Sequence, residues 1–205
     1  NLPTGPYTVT EVLPSAEAPN SNYEILDGKY YFDETVADNG NSWSGNLTKT
    51  GATATITNTY APYYTVTVTK QVGGAMGSSE ETFTFTSEQI NGLNANNITI
   101  ADGSKASLTE SGFTMKAGGS LTVNKVKKST CFSIVEVKAE GYVTTVMIDG
   151  ADNTAGTDAP TTAYFTVGEE DVTVTYQNDR AAVAPTGLES NHTTPYVLMI
   201  TAAGM

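Results

Sequence analysis

Lys70, Glu136 and Asn178 are the residues of this chain best suited to covalent chemistry. If the three are brought together out of water, they can form an amide cross-link. Desolvation lowers the lysine pKa and leaves a neutral amine that can attack. Desolvation raises the glutamate pKa, so a protonated carboxyl can hydrogen-bond the asparagine carbonyl and make it electrophilic. The amine attacks, the acid shuttles protons and ammonia leaves. The product is an isopeptide bond between Lys70 and Asn178 with Glu136 beside it. The reaction turns over once, so it is self-modification and not enzymatic activity.

The case for bringing them together is one of parity. Residues 63–72 alternate strictly and read as a half-buried strand. Tyr64, Val66, Val68 and Val72 share one face, Thr65, Thr67 and Thr69 the other. Lys70 falls on the apolar face, where a lone ammonium is costly. Glu136 has the parity of Phe132 and Ile134, although Val135 and Val137 leave both faces of that strand apolar. Asn178 has the parity of Val172, Val174 and Tyr176. Parity alone fits two arrangements equally: an unreactive trio held by hydrogen bonds or a salt bridge, and a set of reactants.

The elements that would position these residues are strands. In 205 residues, 39% are hydrophobic and 16% charged, so cores can form. No long segment has a helical period. Short alternating runs bounded by Gly, Asp and Asn predict an all-β, antiparallel sandwich architecture. Strands are expected at 7–12, 23–26, 29–32, 52–60, 63–72, 81–87, 107–114, 119–126, 131–138, 142–149, 161–167 and 171–178. A hairpin turn is expected at Asp27-Gly28, a helical turn at 88–91 and a polar loop at 150–160. The net charge of −12 argues against nucleic acid and anionic membrane as partners. The single cysteine, Cys131, excludes an internal disulfide and reads as a buried, inert thiol from its apolar flanks.

The chain also repeats itself. Residues 7–12 (YTVTEV) match 132–137 (FSIVEV), and 54–58 (ATITN) match 174–178 (VTYQN). Glu11 and Asn58 thereby correspond to Glu136 and Asn178. The first part resembles the back half of a unit whose complete copy follows. Its lysine strand is absent and is expected ahead of Asn1, in a longer protein of which this chain is a piece.

These features together resemble the Cna-B-type domains of Gram-positive surface proteins and pilins. The resemblance rests on YTVTVTK at 64–70, FTF at 83–85, the Glu-bearing strand at 132–137 followed by Tyr142, and TYQNDR at 175–180. It covers most of 63–180 and, in half, 1–60. It implies an immunoglobulin-like sandwich with Lys70 on the first strand, Asn178 on the last and Glu136 between them as the autocatalytic acid. It therefore favours the cross-link over the unreactive trio. It implies domains at 1–60 (partial), 63–180 (complete) and 181–205 (linker and tail).

The tail resembles a truncated sortase sorting signal: Pro185, Thr186 and Gly187, a polar spacer and a short apolar run. By that resemblance Thr186 would be joined to peptidoglycan or to another pilin subunit, placing the protein outside the cell and anchored to the wall. Pro185 directly precedes Thr186, which departs from the usual Leu-Pro-x-Thr-Gly. No cofactor or metal is implied. The Asp33–Asn41 and Asp149–Asn153 clusters lack the spacing of a calcium loop and read as turns. The sequons at Asn46, Asn97 and Asn191 also read as turns or strand ends. Trp43 with Tyr30 and Tyr31 reads as a core or edge cluster, with a glycan-stacking patch as the sharper option. The expected function is a structural stalk or pilin-type module. The competing reading is an adhesin domain gripping a host protein or glycan, which an exposed aromatic or apolar loop patch would favour.

Overall fold

The computed structural model describes residues 2–16, 23–37, 40–91, 93, 95–154 and 161–182. The first unit contains β1 (Gly5–Thr10), β2 (Glu24–Ile25), β3 (Tyr30–Val36), β4 (Ser42–Leu47) and β5 (Thr57–Pro62). The second contains β6 (Tyr64–Gly73), β7 (Phe83–Thr86), a helical turn α1 (Glu88–Asn91), β8 (Ile98–Ile100), β9 (Ala106–Thr109), β10 (Gly112–Met115), β11 (Ser120–Val126), β12 (Cys131–Glu136), β13 (Val143–Ile148), β14 (Ala151–Asp152), β15 (Thr161–Thr166) and β16 (Val172–Asp179). No helix among the described residues is long and apolar enough to cross a membrane.

The second unit is an immunoglobulin-like sandwich. One sheet has the order β15-β12-β7-β10-β9 and the other β14-β13-β16-β6-β11-β8. Alternation explains the packing. In β6, Val66, Val68 and Lys70 are buried while Thr65, Thr67 and Thr69 are only partly covered. The inward side chains of both sheets meet in one core, where Phe85 stacks on Phe113 at 4.8 Å and meets the edge of Tyr176 at 5.0 Å. The Tyr176 hydroxyl donates to the Ile134 carbonyl at 2.6 Å and accepts from the Ala163 amide at 3.2 Å, so it ties one sheet to the other.

One pair departs from the antiparallel pattern. The first and last strands of the unit, β6 and β16, run parallel, with Lys70 opposite Tyr176 and Val72 opposite Asn178. Parallel neighbours need a long connection, and here it is the rest of the unit.

The first unit is thinner. It has a β1-β4 pair and a β2-β3-β5 sheet, and of the buried apolar side chains described only Tyr31 belongs to it. The expected turn at Asp27-Gly28 is present, with Leu26, Asp27 and Gly28 all at positive φ. Several expectations shift. The strand expected over 52–60 begins only at Thr57, because β3 ends at Val36, opposite Thr57, and offers nothing further to pair with. The run 107–114 is not one strand but the β9-β10 hairpin. Cys131 is exposed, contrary to the buried thiol expected. It has the parity of Ser133 and Val135, on the face away from Phe132 and Ile134.

Two lysines join the units. A bulge in β11, between Val123 and Val126, contains Lys125 at φ 55°, and such a bulge re-aims a side chain. Lys125 Nζ lies 2.7 Å from Glu24 Oε2, and the Tyr63 hydroxyl donates to Glu24 Oε1 at 2.9 Å. Lys127 hydrogen-bonds the Tyr23 hydroxyl and sits 4.9 Å from the Tyr31 ring centre. Tyr31 in turn packs on Tyr63 at 4.9 Å. Tyr31 is thus part of the joint between units. Trp43 lies in the β1-β4 pair, opposite Val9, and among the described residues no ring contact joins it to Tyr30 or Tyr31.

Candidate functional site

Lys70 and Asn178 come from adjacent strands of one sheet, and Glu136 ends a central strand of the other. Their side chains meet in the core. Relative exposure is 1% for Lys70, 1% for Glu136 and 0% for Asn178. Asn178 Nδ2 donates to Glu136 Oε1 at 2.5 Å. Lys70 Nζ lies 3.3 Å from Glu136 Oε2, an ion-pair contact without hydrogen-bond angles, and donates to the Tyr176 carbonyl at 3.3 Å. The Phe83 ring centre is 4.4 Å from the same nitrogen.

Burial governs the electrostatics. It pulls the Lys70 ammonium down to about 8, against the opposing pull of Glu136 and, more weakly, Asp179. Burial likewise pushes the Glu136 carboxyl above its ordinary value, against Lys70 and the Asn178 hydrogen bond. Both groups thus move towards their neutral forms. Glu136 Oε2 and Asn178 Oδ1 are buried with no hydrogen-bond partner among the described residues. Glu136 Oε2 keeps its contact with the Lys70 ammonium, whereas an oxygen placed like Asn178 Oδ1 costs ~1–3 kcal/mol.

The first unit repeats part of this geometry. Asn58 Nδ2 donates to Glu11 Oε1 at 2.6 Å, and Thr35 Oγ1 donates to Asn58 Oδ1 at 2.6 Å. Glu11, Asn58 and Thr35 are all partly exposed. No lysine joins them among the described residues.

Sequence reasoning missed Phe83, the Tyr176 carbonyl and Thr35. Alternation of Phe83-Thr84-Phe85 marked an inward ring, but which ring covers the ammonium is decided by strand register. The register signal for Thr35 was readable only after pairing was known: it faces Asn58 as Thr144 faces Asn178. In the first acidic cluster Asp33 lies within β3, and residues 38 and 39 lie outside the described residues; in the second the carboxylates bind backbone amides. Asp149 Oδ1 accepts the Thr173 amide at 2.7 Å, and Asp152 Oδ1 accepts the Thr154 amide at 2.9 Å. Pro185, Thr186 and Gly187 lie outside the described residues.

Residues 64–180 match the model of a family described as a domain of unknown function, DUF7601, and the chain belongs to that family. Among solved structures, the chain is similar to the major pilin of Streptococcus pyogenes, at 17% identity and a TM-score of 0.43, over 87% of this chain and 70% of that one. It is similar also to the T3.2 major pilin of the same organism, at 16% identity and a TM-score of 0.43, over 86% of this chain and 67% of that one. A pilus-presented adhesin matches at 19% identity and a TM-score of 0.41, over 58% of this chain, which spans only 28% of the adhesin's length. A search of curated proteins gave no match.

Proposed function

We propose that the second unit is a load-bearing, Cna-B-like module closed by an autocatalytic amide between Lys70 and Asn178. The observation that carries this reading is the enclosed trio itself. An amine and a carboxyl, both shifted towards neutrality by burial, share a dry site with an amide that is hydrogen-bonded to the carboxyl. Neutral Lys70 attacks Asn178 Cγ. Glu136, protonated, donates to the amide oxygen once the amide is turned to present it. Glu136 passes its proton to that oxygen as the new C–N bond forms, takes the amine proton in its place and delivers it to Nδ2. The Cγ–Nδ2 bond breaks, ammonia leaves, and the oxygen's proton returns to Glu136 as the carbonyl re-forms. The product has no buried ammonium, and the new carbonyl can accept from Glu136. Asn178 Oδ1, the unpartnered oxygen of the starting trio, gives this rearrangement something to gain.

The placement of the bond supports a mechanical role. Lys70 is on the first strand of the unit and Asn178 on the last, and the two strands are neighbours. Tension entering at the two ends of the unit would pass through the amide and bypass the intervening strands. The same proposal makes the protein an extracellular, wall-anchored stalk or pilin-type subunit, processed by a sortase at Pro185–Gly187 and joined through Thr186 to peptidoglycan or another subunit. The adhesin reading has less support. The exposed large hydrophobics of the second unit, Met76, Leu108, Val137, Val143 and Tyr164, sit on separate segments and include one aromatic ring. Single-molecule pulling through the chain ends tests the role. The second unit should give no unfolding extension, and Lys70→Ala should restore one. Full extension of the unaltered unit would refute the proposal.

A further inference from the structure

Lys70, Glu136 and Asn178 come from three strands, and the chain that follows each of them runs to one side chain outside the trio, Tyr142. After Lys70, β6 ends at Gly73 and residues 74–82 lead to Phe83, whose ring centre lies 4.4 Å from Lys70 Nζ. After Glu136, residues 137–141 lead to Tyr142 itself, and Arg180 follows closely on Asn178. The Tyr142 ring stands edge-on to Phe83 at 5.3 Å. Its hydroxyl accepts from the Ser78 amide at 3.0 Å and donates to Glu81 Oε2 at 2.9 Å. The Arg180 guanidinium lies 5.5 Å from the centre of the same ring.

The backbone of 74–82 is drawn onto the same end of the sandwich. The Arg180 amide donates to the Gly73 carbonyl at 3.1 Å, and the Met76 amide donates to the Arg180 carbonyl at 3.1 Å. Gly74 has φ 82°, and a Cβ there would lie 2.4 Å from the Arg180 carbonyl oxygen, so only glycine permits this approach. Tyr142 is 7% exposed and Phe83 2%. Two rings in contact therefore connect Lys70 Nζ to the segment 74–82. Packing alone does not call for the Tyr142 hydroxyl, since a phenylalanine would fill the same space. Both bonds of that hydroxyl go to 74–82, one to its backbone and one to a side chain.

We propose that residues 74–82 cap the chamber of Lys70, Glu136 and Asn178, and that Tyr142 is a positioning residue for amide formation, clasping the cap and holding Phe83 against the amine so that water stays out. The inference rests on the reading of Lys70 and Asn178 as cross-linking partners. Tyr142 acts through Phe83 and the cap, and no bond forms or breaks at it. Exclusion of water matters because a hydrated amine stays protonated at neutral pH and cannot attack. The charged groups that bear on Lys70 are Glu136 on β12 and Asp179 on β16, and both favour the ammonium. Glu81 and Arg180 face Tyr142 instead. Burial is what opposes Glu136 and Asp179, and burial is what a clasped cap supplies.

The first measurement does not require the amide to form. In the whole chain carrying Asn178→Ala, Lys70 stays a free amine, and its titration is followed by NMR of isotope-labelled lysine. The expected midpoint is about 8. Adding Tyr142→Leu, which keeps apolar bulk and loses ring and hydroxyl, should raise it by more than about one pH unit. Tyr142→Phe should raise it less and should strip hydrogen-exchange protection from the Ser78 amide. Glu81→Ala leaves the core intact and serves if Tyr142→Leu does not fold. Loss of its charge would by itself lower the midpoint, so a rise reports the opened cap and no rise overturns the clasp. The second measurement is rate. The otherwise unaltered chain, recovered unfolded before reaction, is refolded and ammonia loss is followed by intact mass. Tyr142→Leu should slow it at least about tenfold at pH 7 and regain most of the rate at about pH 10. A residue that only adds stability would lower Tm and leave the Lys70 midpoint and the pH profile of the rate where they were, and that result overturns the clasp alone. An unaltered chain that never loses ammonia overturns the amide reading and Tyr142's part in it, while a raised Lys70 midpoint would still support the cap.

Discussion

The two units of this chain carry the same glutamate–asparagine hydrogen bond in opposite surroundings. In the second, Glu136 and Asn178 are sealed between two sheets, and a lysine is sealed in with them. In the first, Glu11 and Asn58 sit at a partly open edge of two small sheets, with a threonine in attendance and no lysine. The two differ in one residue type, the lysine, and in enclosure. Enclosure moves Lys70 and Glu136 towards their neutral forms, the ones the proposed reaction needs. Enclosure in turn depends on β6, the strand that both delivers the lysine and closes the sheet over it.

The sharpest way to break the comparison is to remove one partner of the proposed bond from the enclosed unit. If that bond closes the unit, Asn178→Ala or Lys70→Ala opens a loop of about a hundred residues, worth ~4–5 kcal/mol if treated as a disulfide would be in the chain-entropy model. Thermal unfolding should show a large fall in Tm. Asn58→Ala in the open unit should move the same transition little.

Core truncation sharpens the contrast in packing. Phe85→Ala removes a ring held against Phe113 and Tyr176 and should cost ~3–5 kcal/mol by denaturant titration. Val9→Ala, at the half-exposed site that matches Ile134 in the repeat, should cost well under about 1 kcal/mol. Similar values for both would mean that the first unit has a closed core.

How far was this contrast legible beforehand? Period-two alternation in 63–72 was enough to place Lys70 inside, because each Thr–Val step fixes a face. Glu136 was harder: apolar Val135 and Val137 flank it, and only pairing with β7 and β15 shows which face is the core. The hidden parts are those with weak alternation or none. β4, rich in Ser, Asn and Gly, and the three-residue β8 carry no pattern that a window can read. The β9-β10 hairpin lacks an Asn-Gly turn, so it read as one strand. The parallel β6-β16 pairing and the Lys125 bulge that grips Glu24 are decided by long-range register, which local sequence does not encode.

A pH titration distinguishes a finished bond from an unfinished one. In Asn178→Ala the lysine stays free, with a folded-state pKa near 8 against 10.5. Below about 8 the full cost of burying the ammonium is present. From there to 10.5 the unfolded chain binds more protons than the folded one, so stability rises with pH, by at most about 3 kcal/mol. Glu136 acts in the acid range and in the opposite sense: its raised pKa favours the folded state below 4.5, a gain lost as pH climbs through the folded value. The unaltered chain, with Lys70 held as an amide, should show no alkaline rise.

The smallest effect belongs to the joint. Lys125→Ala removes a part-exposed ion pair to Glu24 and should change stability by less than about 1 kcal/mol. Its readout is orientation: residual dipolar couplings should show the two units moving more freely, and more so in high salt.

Intact mass of the folded chain tests the central claim most directly. The account predicts a mass one ammonia short of that calculated from the sequence, with Lys70 and Asn178 recovered in one branched peptide and the full mass restored by Glu136→Ala. A folded, unaltered chain at its full calculated mass, with Lys70 still open to amine-reactive labelling after unfolding, would contradict it.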